Sequence, residues 1–224
     1  MKLLKRRPKS FDIQVQDMVL HITASPEYAE ESRAAALSFW EQLESYALRD
    51  SAFRESKRAI AVPDDAPDIV REMVSAATDA GVGPMFTFQG AVTDQVGRFL
   101  SRAMSEVTVT CGGDYYIVTR KRMKLSVKRR GGEPISVVVL PDKQGVGVST
   151  TLGRGHGEGP DGLAVLANSC MLADAAAAGV QALLPKEDGF RKALQYLQQV
   201  PGVDGGVVVV GERIGVAGAV EIAH

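Results

Sequence analysis

The segment from Cys170 to Leu184 (CMLADAAAAGVQALL) carries only two polar side chains, Asp174 and Gln181. Apolar residues at nearly every helical angle, closed by Pro185, predict a helix with no solvent face. Such a helix is stable only when other elements enclose it. The 224-residue chain is long enough to bury a substantial core around it. The run falls short of the roughly 20 apolar residues of a membrane span, and no other stretch comes closer. A carboxylate inside such a helix is costly unless it is paired, hydrogen-bonded or bound to a metal. Asp174 is therefore either satisfied by a neighbouring backbone group or arginine, or part of a site.

The remaining pattern predicts an α+β fold with a mainly antiparallel sheet and packed helices. Residues 10–23 alternate polar and apolar side chains, and the apolar face switches across Gln16-Asp17, as in a strand pair joined by a turn. Ser25-Pro26-Glu27 reads as a capped helix start, and the helix runs to Arg49 with Ala36, Phe39, Trp40, Leu43 and Ala47 on one stripe. Residues 51–62 read as a polar connection. A second helix extends from Pro63 to Ala80 and stops at Gly81, and a third begins at Gly90. Strands follow at residues 106–110, 115–119, 124–128, 135–140 and 145–149. A buried strand at 163–166 precedes the Asp174 helix. A short helix at 190–199 and strands at 206–210 and 213–217 complete the chain. No composition shift marks a boundary, so residues 1–224 are expected to form a single domain.

Composition excludes several function classes. A net charge of −1 gives no global field for nucleic acid or an anionic membrane. Two cysteines and three histidines cannot build a disulfide framework or a four-thiolate zinc site. The basic N-terminal residues lead into an alternating strand rather than an apolar signal core, so a soluble cytoplasmic protein is expected. The basic cluster of Arg120, Lys121, Arg122 and Lys124, with Lys128, Arg129 and Arg130, alternates with Met123, Leu125 and Val127. It lacks interleaved aromatics and reads as the solvated edge of a hairpin, with no nucleic-acid partner expected. His21, at strand period, reads as a core or edge histidine. Cys111 reads as a structural thiol, with no nearby histidine in sequence to activate it.

Four segments can carry chemistry. Residues 107–114 (VTVTCGGD) end a strand in Gly112, Gly113 and Asp114, a pattern that serves a hairpin turn or a backbone cradle for phosphate. Ser149, Thr150 and Thr151 follow a strand, and a glycine-rich loop after them presents Arg154 and His156. Hydroxyls, amides and a guanidinium suit an anionic oxygen, while glycine density suits a mobile loop. Asp174 is the third. Asp94 and Arg98, four apart in a helix, read as an exposed ion pair on residue pattern alone.

In this order, the segments resemble the ApbE-like superfamily, whose best-known members are FAD:protein FMN transferases. Residues 89–94 (QGAVTD) are similar to that family's Lys-Gly-x-x-x-Asp helix start, with Gln89 at the lysine position. The strand ending in Cys111-Gly112-Gly113-Asp114 resembles its Gly-Gly-Asp strand, and residues 165–174 (VLANSCMLAD) its strand-to-helix segment ending in Ala-Asp. Gly83-Pro84-Met85, residues 145–150 (GVGVST) and Gly155-His156 resemble a smaller branch of unassigned function. The likeness is strongest over residues 80–184.

The resemblance implies FAD or FMN as cofactor in a cleft, with Mg²⁺ at the pyrophosphate held by Asp174. Asp94, Gly112, Gly113, Asp114, Ser149, Thr150 and Thr151 would lie near the nucleotide, and Asp174 and His156 would be catalytic. Ala178 stands where the family has a metal-binding threonine. The expected function is binding of a flavin nucleotide or similar phosphorylated metabolite, with Mg²⁺-assisted phosphate-ester chemistry. The expected partner is a small-molecule anionic ligand, and a homodimer is plausible on general symmetry grounds. Two alternatives stay open: an enzyme of the same fold acting on a non-flavin anionic metabolite, and a non-catalytic interaction protein using the basic hairpin.

Overall fold

The computed structural model describes residues 8–150 and 159–223. Alternation at the start folds as expected, with β1 (Lys9–Val15) and β2 (Met18–Ala24) forming an antiparallel hairpin. Gln16 turns the chain with φ 54°. Ile13, Val15, Leu20 and Ile22 face the core and the intervening polar residues face water. His21 lies on the water side, with Nδ1 2.8 Å from Asp12 Oδ1, so it is an exposed residue of the edge hairpin rather than a core one.

Helix α1 (Ala29–Arg49) starts three residues later than Pro26 suggests, because Pro26–Tyr28 form a 3-10 turn. Ser25 makes no side-chain cap. Residues 51–62 are not entirely irregular: α2 (Ser51–Glu55) is a short helix whose cap, Asp50, accepts the Phe53 N–H. That side-chain bond replaces an absent apolar periodicity, and Phe53 is fully buried. Helix α3 (Asp68–Ala80) begins after Pro67 and ends at Gly81 in a left-handed cap. Another 3-10 turn at Pro84–Thr87 delivers α4 (Phe88–Ser101), two residues before the expected start.

Seven further strands among the described residues add to the main sheet and supply two of the three strands of a second. They are β3 (Val107–Cys111), β4 (Asp114–Thr119), β5 (Met123–Val127), β6 (Ile135–Val139), β7 (Asp142–Thr150), β8 (Gly162–Ala167) and β9 (Val203–Val210). Between β8 and β9 run α5 (Cys170–Leu183) and α6 (Gly189–Gln199), and β10 (Arg213–Gly218) and the two-residue β11 (Ile222–Ala223) close the chain. The main sheet has eight strands in the order β1-β2-β3-β4-β7-β8-β9-β10, all antiparallel, and a small sheet has the order β11-β6-β5. The fold is thus the mixed helix and antiparallel-sheet class that the sequence predicts.

Three layers result. Helices cover one face of the main sheet, and the small sheet covers part of the other. Strand β8 explains the unbroken run of buried residues in its sequence: Leu163 and Val165 pack toward α5 and α6, while Ala164 and Leu166 pack toward the small sheet. Helix α5 is buried at every residue from Cys170 to Val180, as its composition requires. The basic hairpin is β5–β6, with β5 at the edge of the small sheet. Two of its flanking cations have acidic partners, Arg122 with Glu221 and Arg130 with Asp161 at 2.8 Å.

Candidate functional site

Side-chain parity in the main sheet decides what meets α4 and α5. On β4, Tyr116 and Val118 point to the helical face, and Asp114, two residues before Tyr116, shares it. On β7, Ser149 pairs with Asp114 across the ladder. Both side chains therefore enter the gap between sheet and helices. Ser149 Oγ donates to Asp114 Oδ1 at 2.7 Å, and both residues are buried. A hydroxyl bond of this kind satisfies one carboxylate oxygen that burial has stripped of water.

The turn preceding Asp114 is built by Gly112 (φ 57°) and Gly113 (φ 103°). Positive φ at two successive residues is strained for any side chain but easy for glycine. A Cβ on Gly112 would also come within 2.6 Å of Gln89 Oε1, so the Gln89 amide lies directly over the turn. Thr150 locks the other side: its N–H and its hydroxyl both donate to the Gly113 carbonyl, at 2.9 and 3.0 Å.

Helix α5 enters the same gap. Asp174 is fully buried, and its Oδ2 accepts the Gly90 N–H in the first turn of α4 at 3.2 Å. The two helices touch at Gly90, where a Cβ would fall 2.9 Å from both Asp174 Cβ and the Cys170 carbonyl oxygen. The structure thus brings Gly112, Gly113, Asp114, Ser149, Thr150 and Asp174 to one end of β4, β7 and α4. Gln89, singled out in sequence only as a departure from the family pattern, joins them. Thr151 and His156 lie outside the described residues.

Asp94 meets the start of α5. Its Oδ1 accepts the Cys170 N–H at 2.8 Å, and Arg98 Nη2 lies 2.7 Å from its Oδ2. The ion pair expected from their spacing exists, but its acid is fully buried rather than exposed. Burial is the largest influence on the Asp94 carboxyl and raises its pKa to about 6, against the lowering effect of Arg98 and the Cys170 amide. Arg98 continues outward to Glu72 at 2.8 Å, along a cleft of about 550 Å³ that Asn168 and Ser169 also line. Asp94 lies one helical turn after Gly90 on the face of α4 that meets α5, and its oxygens are engaged by the Cys170 amide and by Arg98.

Cys111 sits beneath the turn. Burial, then the nearby Asp114 and Asp17 charges, push its thiol up to about 11, which keeps it protonated at neutral pH. The expectation of a structural thiol fits this environment.

As for a metal, Asp174 offers one carboxylate, and Ala178, one turn on, offers a methyl group. Among the described residues no group of three His, Cys, Asp or Glu side chains could hold an ion. This donor set fits Mg²⁺ only as an ion bound mainly by water and by the phosphates of a ligand, which is how Mg²⁺ is commonly held.

A family model described as "AbpE bacteria" matches residues 1–192. The chain belongs to the AbpE bacteria family. Similar sequences include UPF0280 proteins of archaea. The protein of Methanosarcina acetivorans is 28% identical, covering 96% of this chain and 88% of its own length. That of Methanopyrus kandleri is 27% identical, covering 93% and 90%. Among solved structures, this AbpE-family chain is similar to the apo form of the flavinyl transferase ApbE of Pseudomonas stutzeri, with a TM-score of 0.62 at 15% identity over 97% of this chain and 96% of that one. The ApbE protein of Thermotoga maritima gives a TM-score of 0.63 at 14% identity, over 94% and 97%. These likenesses show the ApbE-like fold. No helix among the described residues is long and apolar enough to cross a membrane.

Proposed function

We propose that the chain binds a flavin nucleotide or a similar phosphorylated metabolite where the Gly112–Gly113 turn meets Asp114, Ser149, Thr150 and Asp174. The observation that carries this reading is the convergence of a left-handed glycine turn, a buried carboxylate–hydroxyl pair and a buried helix carboxylate. All three lie at one end of a fold shared with proteins named flavin transferases. The glycine turn gives a ligand close access to backbone, and Asp174 is the residue that would hold Mg²⁺ arriving with phosphate. Bound there, the ion would neutralise phosphate charge. Ser149 orients Asp114, and the two hydrogen bonds from Thr150 to the Gly113 carbonyl fix the turn, so the polar groups are preorganised before a ligand arrives.

Flavin fluorescence on titration of FAD, with and without Mg²⁺, tests the proposal. Saturable binding strengthened by Mg²⁺ supports it, and release of FMN or AMP would add turnover to binding. No binding under either condition sinks the flavin reading.

A second reading is favoured by Gln89 and Ala178. A neutral amide lies over the turn, and a methyl group stands one helical turn beyond Asp174. Both changes suit a non-flavin anionic metabolite of lower charge. A thermal-shift screen of metabolites separates the readings: stabilisation by a non-flavin anion, lost in Asp174→Ala, would favour the second.

A further inference from the structure

A cleft of about 750 Å³ lies at the opposite end of β4 and β7 from Asp114 and Ser149. Its walls are the end of α4 with the loop to β3, the end of β4, and the start of β7. Asp142 and Ser149 are seven residues apart on β7, roughly 20 Å of extended strand, so the two places are distinct.

Three cations line the cleft: Arg102, Arg120 and Lys143. None has an acidic partner within salt-bridge distance among the described residues. Arg102, just past the end of α4, is an ordinary cation for a helix C-terminus. Arg120 and Lys143 come from different elements and have no such explanation. Asp142 is the sole acid in the lining among the described residues, and its Oδ1 accepts the Gln144 N–H at 2.6 Å and the Gly145 N–H at 3.3 Å. Thr119 bonds both the N–H and the carbonyl of Lys121. The turns that present Arg120 and Lys143 are thus each fixed by a side chain bonding backbone. Like charges on neighbouring turns repel one another, and an anion between them removes that cost. Buried Val118 supplies an apolar floor, and among the described residues no aromatic ring lines the space for stacking a base.

We propose that this cleft is a second binding site, for a small multivalent anion of the phosphorylated or polycarboxylated non-aromatic class. Its volume falls in the range of small-molecule sites. The proposal does not depend on the flavin reading.

Isothermal titration calorimetry with inorganic pyrophosphate and, separately, citrate tests it on the full chain. The expected result is saturable binding of at least one probe, weakened at least about tenfold in Arg120→Gln/Lys143→Gln. Binding should weaken with added salt. The preferred probe distinguishes phosphate from carboxylate as the recognised group. Arg120 and Lys143 are exposed, so the double variant should melt as the wild type does. Arg102→Gln gives an independent, smaller loss. Failure of both probes to saturate at millimolar concentration would overturn the proposal. So would unchanged affinity in the double variant.

Discussion

Asp94 in α4 accepts the first N–H of α5, from Cys170, at 2.8 Å across 76 positions of sequence. The relationship is reciprocated, since Asp174 in α5 accepts the Gly90 N–H in the first turn of α4. Each helix thus offers an amide at one position and a carboxylate four residues later, and each carboxylate serves the other helix. A carboxylate at a helix N-terminus is favoured by both hydrogen bonding and the helix dipole. This exchange locks α4 to α5 and sets Asp174 beside the glycine turn.

The Asp94 carboxyl gives a pH signature. Burial raises its pKa from 3.8 to about 6, so between those values the folded protein holds a proton there that the unfolded chain has lost. The contribution is fully present below about 4 and is lost as pH rises through about 6. In urea unfolding, wild type should therefore gain stability relative to Asp94→Asn as pH falls from 7 to 4, by at most about 3 kcal/mol. A pH-independent difference between the two proteins would contradict the buried placement of Asp94.

Gly90→Ala sets two effects against each other. Alanine favours a helix interior over glycine by about 1 kcal/mol. The new methyl would press on Asp174 and on the Cys170 carbonyl at 2.9 Å, and neither is a flexible chain end. Overpacking of this kind costs roughly 1–3 kcal/mol, so net destabilisation by denaturant unfolding is expected. A more stable variant would mean the helices are not in contact there.

Ser149→Ala removes the donor to Asp114 Oδ1 and leaves a buried carboxylate with one bond fewer. The expected loss of stability is about 1–3 kcal/mol at neutral pH. Ser149→Thr, which keeps a hydroxyl, should recover part of it. Equal losses in both variants would show that volume rather than the hydrogen bond matters.

Gly112→Ala puts a side chain at φ 57° and within 2.6 Å of Gln89 Oε1. Backbone strain of about 1–2 kcal/mol is expected. Ligand affinity should fall by more than stability, because Gln89 must leave the turn. Gly131→Ala is a control at φ 70°, where nothing lies within 4 Å of the added carbon, and should show the strain without the loss of affinity.

Local chemistry made much of the fold legible. Alternation with a face switch at Gln16 is enough to read the β1–β2 hairpin, and an all-apolar surface is enough to read α5 as buried. Elements held by single contacts were not legible. Helix α2 depends on the Asp50 cap, and β11 is two residues long and pairs only through β6. At the site, the Gly112–Gly113 turn, Asp114, Ser149 and Asp174 stood out as residue types. Their meeting did not, because it depends on strand parity and on contacts 35 and 84 positions apart. Asp94 and Arg98 looked like a surface pair because spacing carries no information about burial. Gln89 stood out by its place before Gly90, but its position over the Gly112 turn is a contact 23 residues away that sequence pattern does not carry.

The central claim, that a phosphorylated ligand such as FAD binds at the Asp114–Ser149 end of the sheet, is tested most directly by its affinity in one variant. FAD should be titrated by flavin fluorescence in the presence of Mg²⁺ into wild type and Asp114→Asn, with folding of both verified by circular dichroism. Wild type should bind saturably, with affinity changed by at least about tenfold in the variant, from altered charge beside the glycine turn. Equal affinity in the two folded proteins, or no FAD binding by wild type, would contradict it.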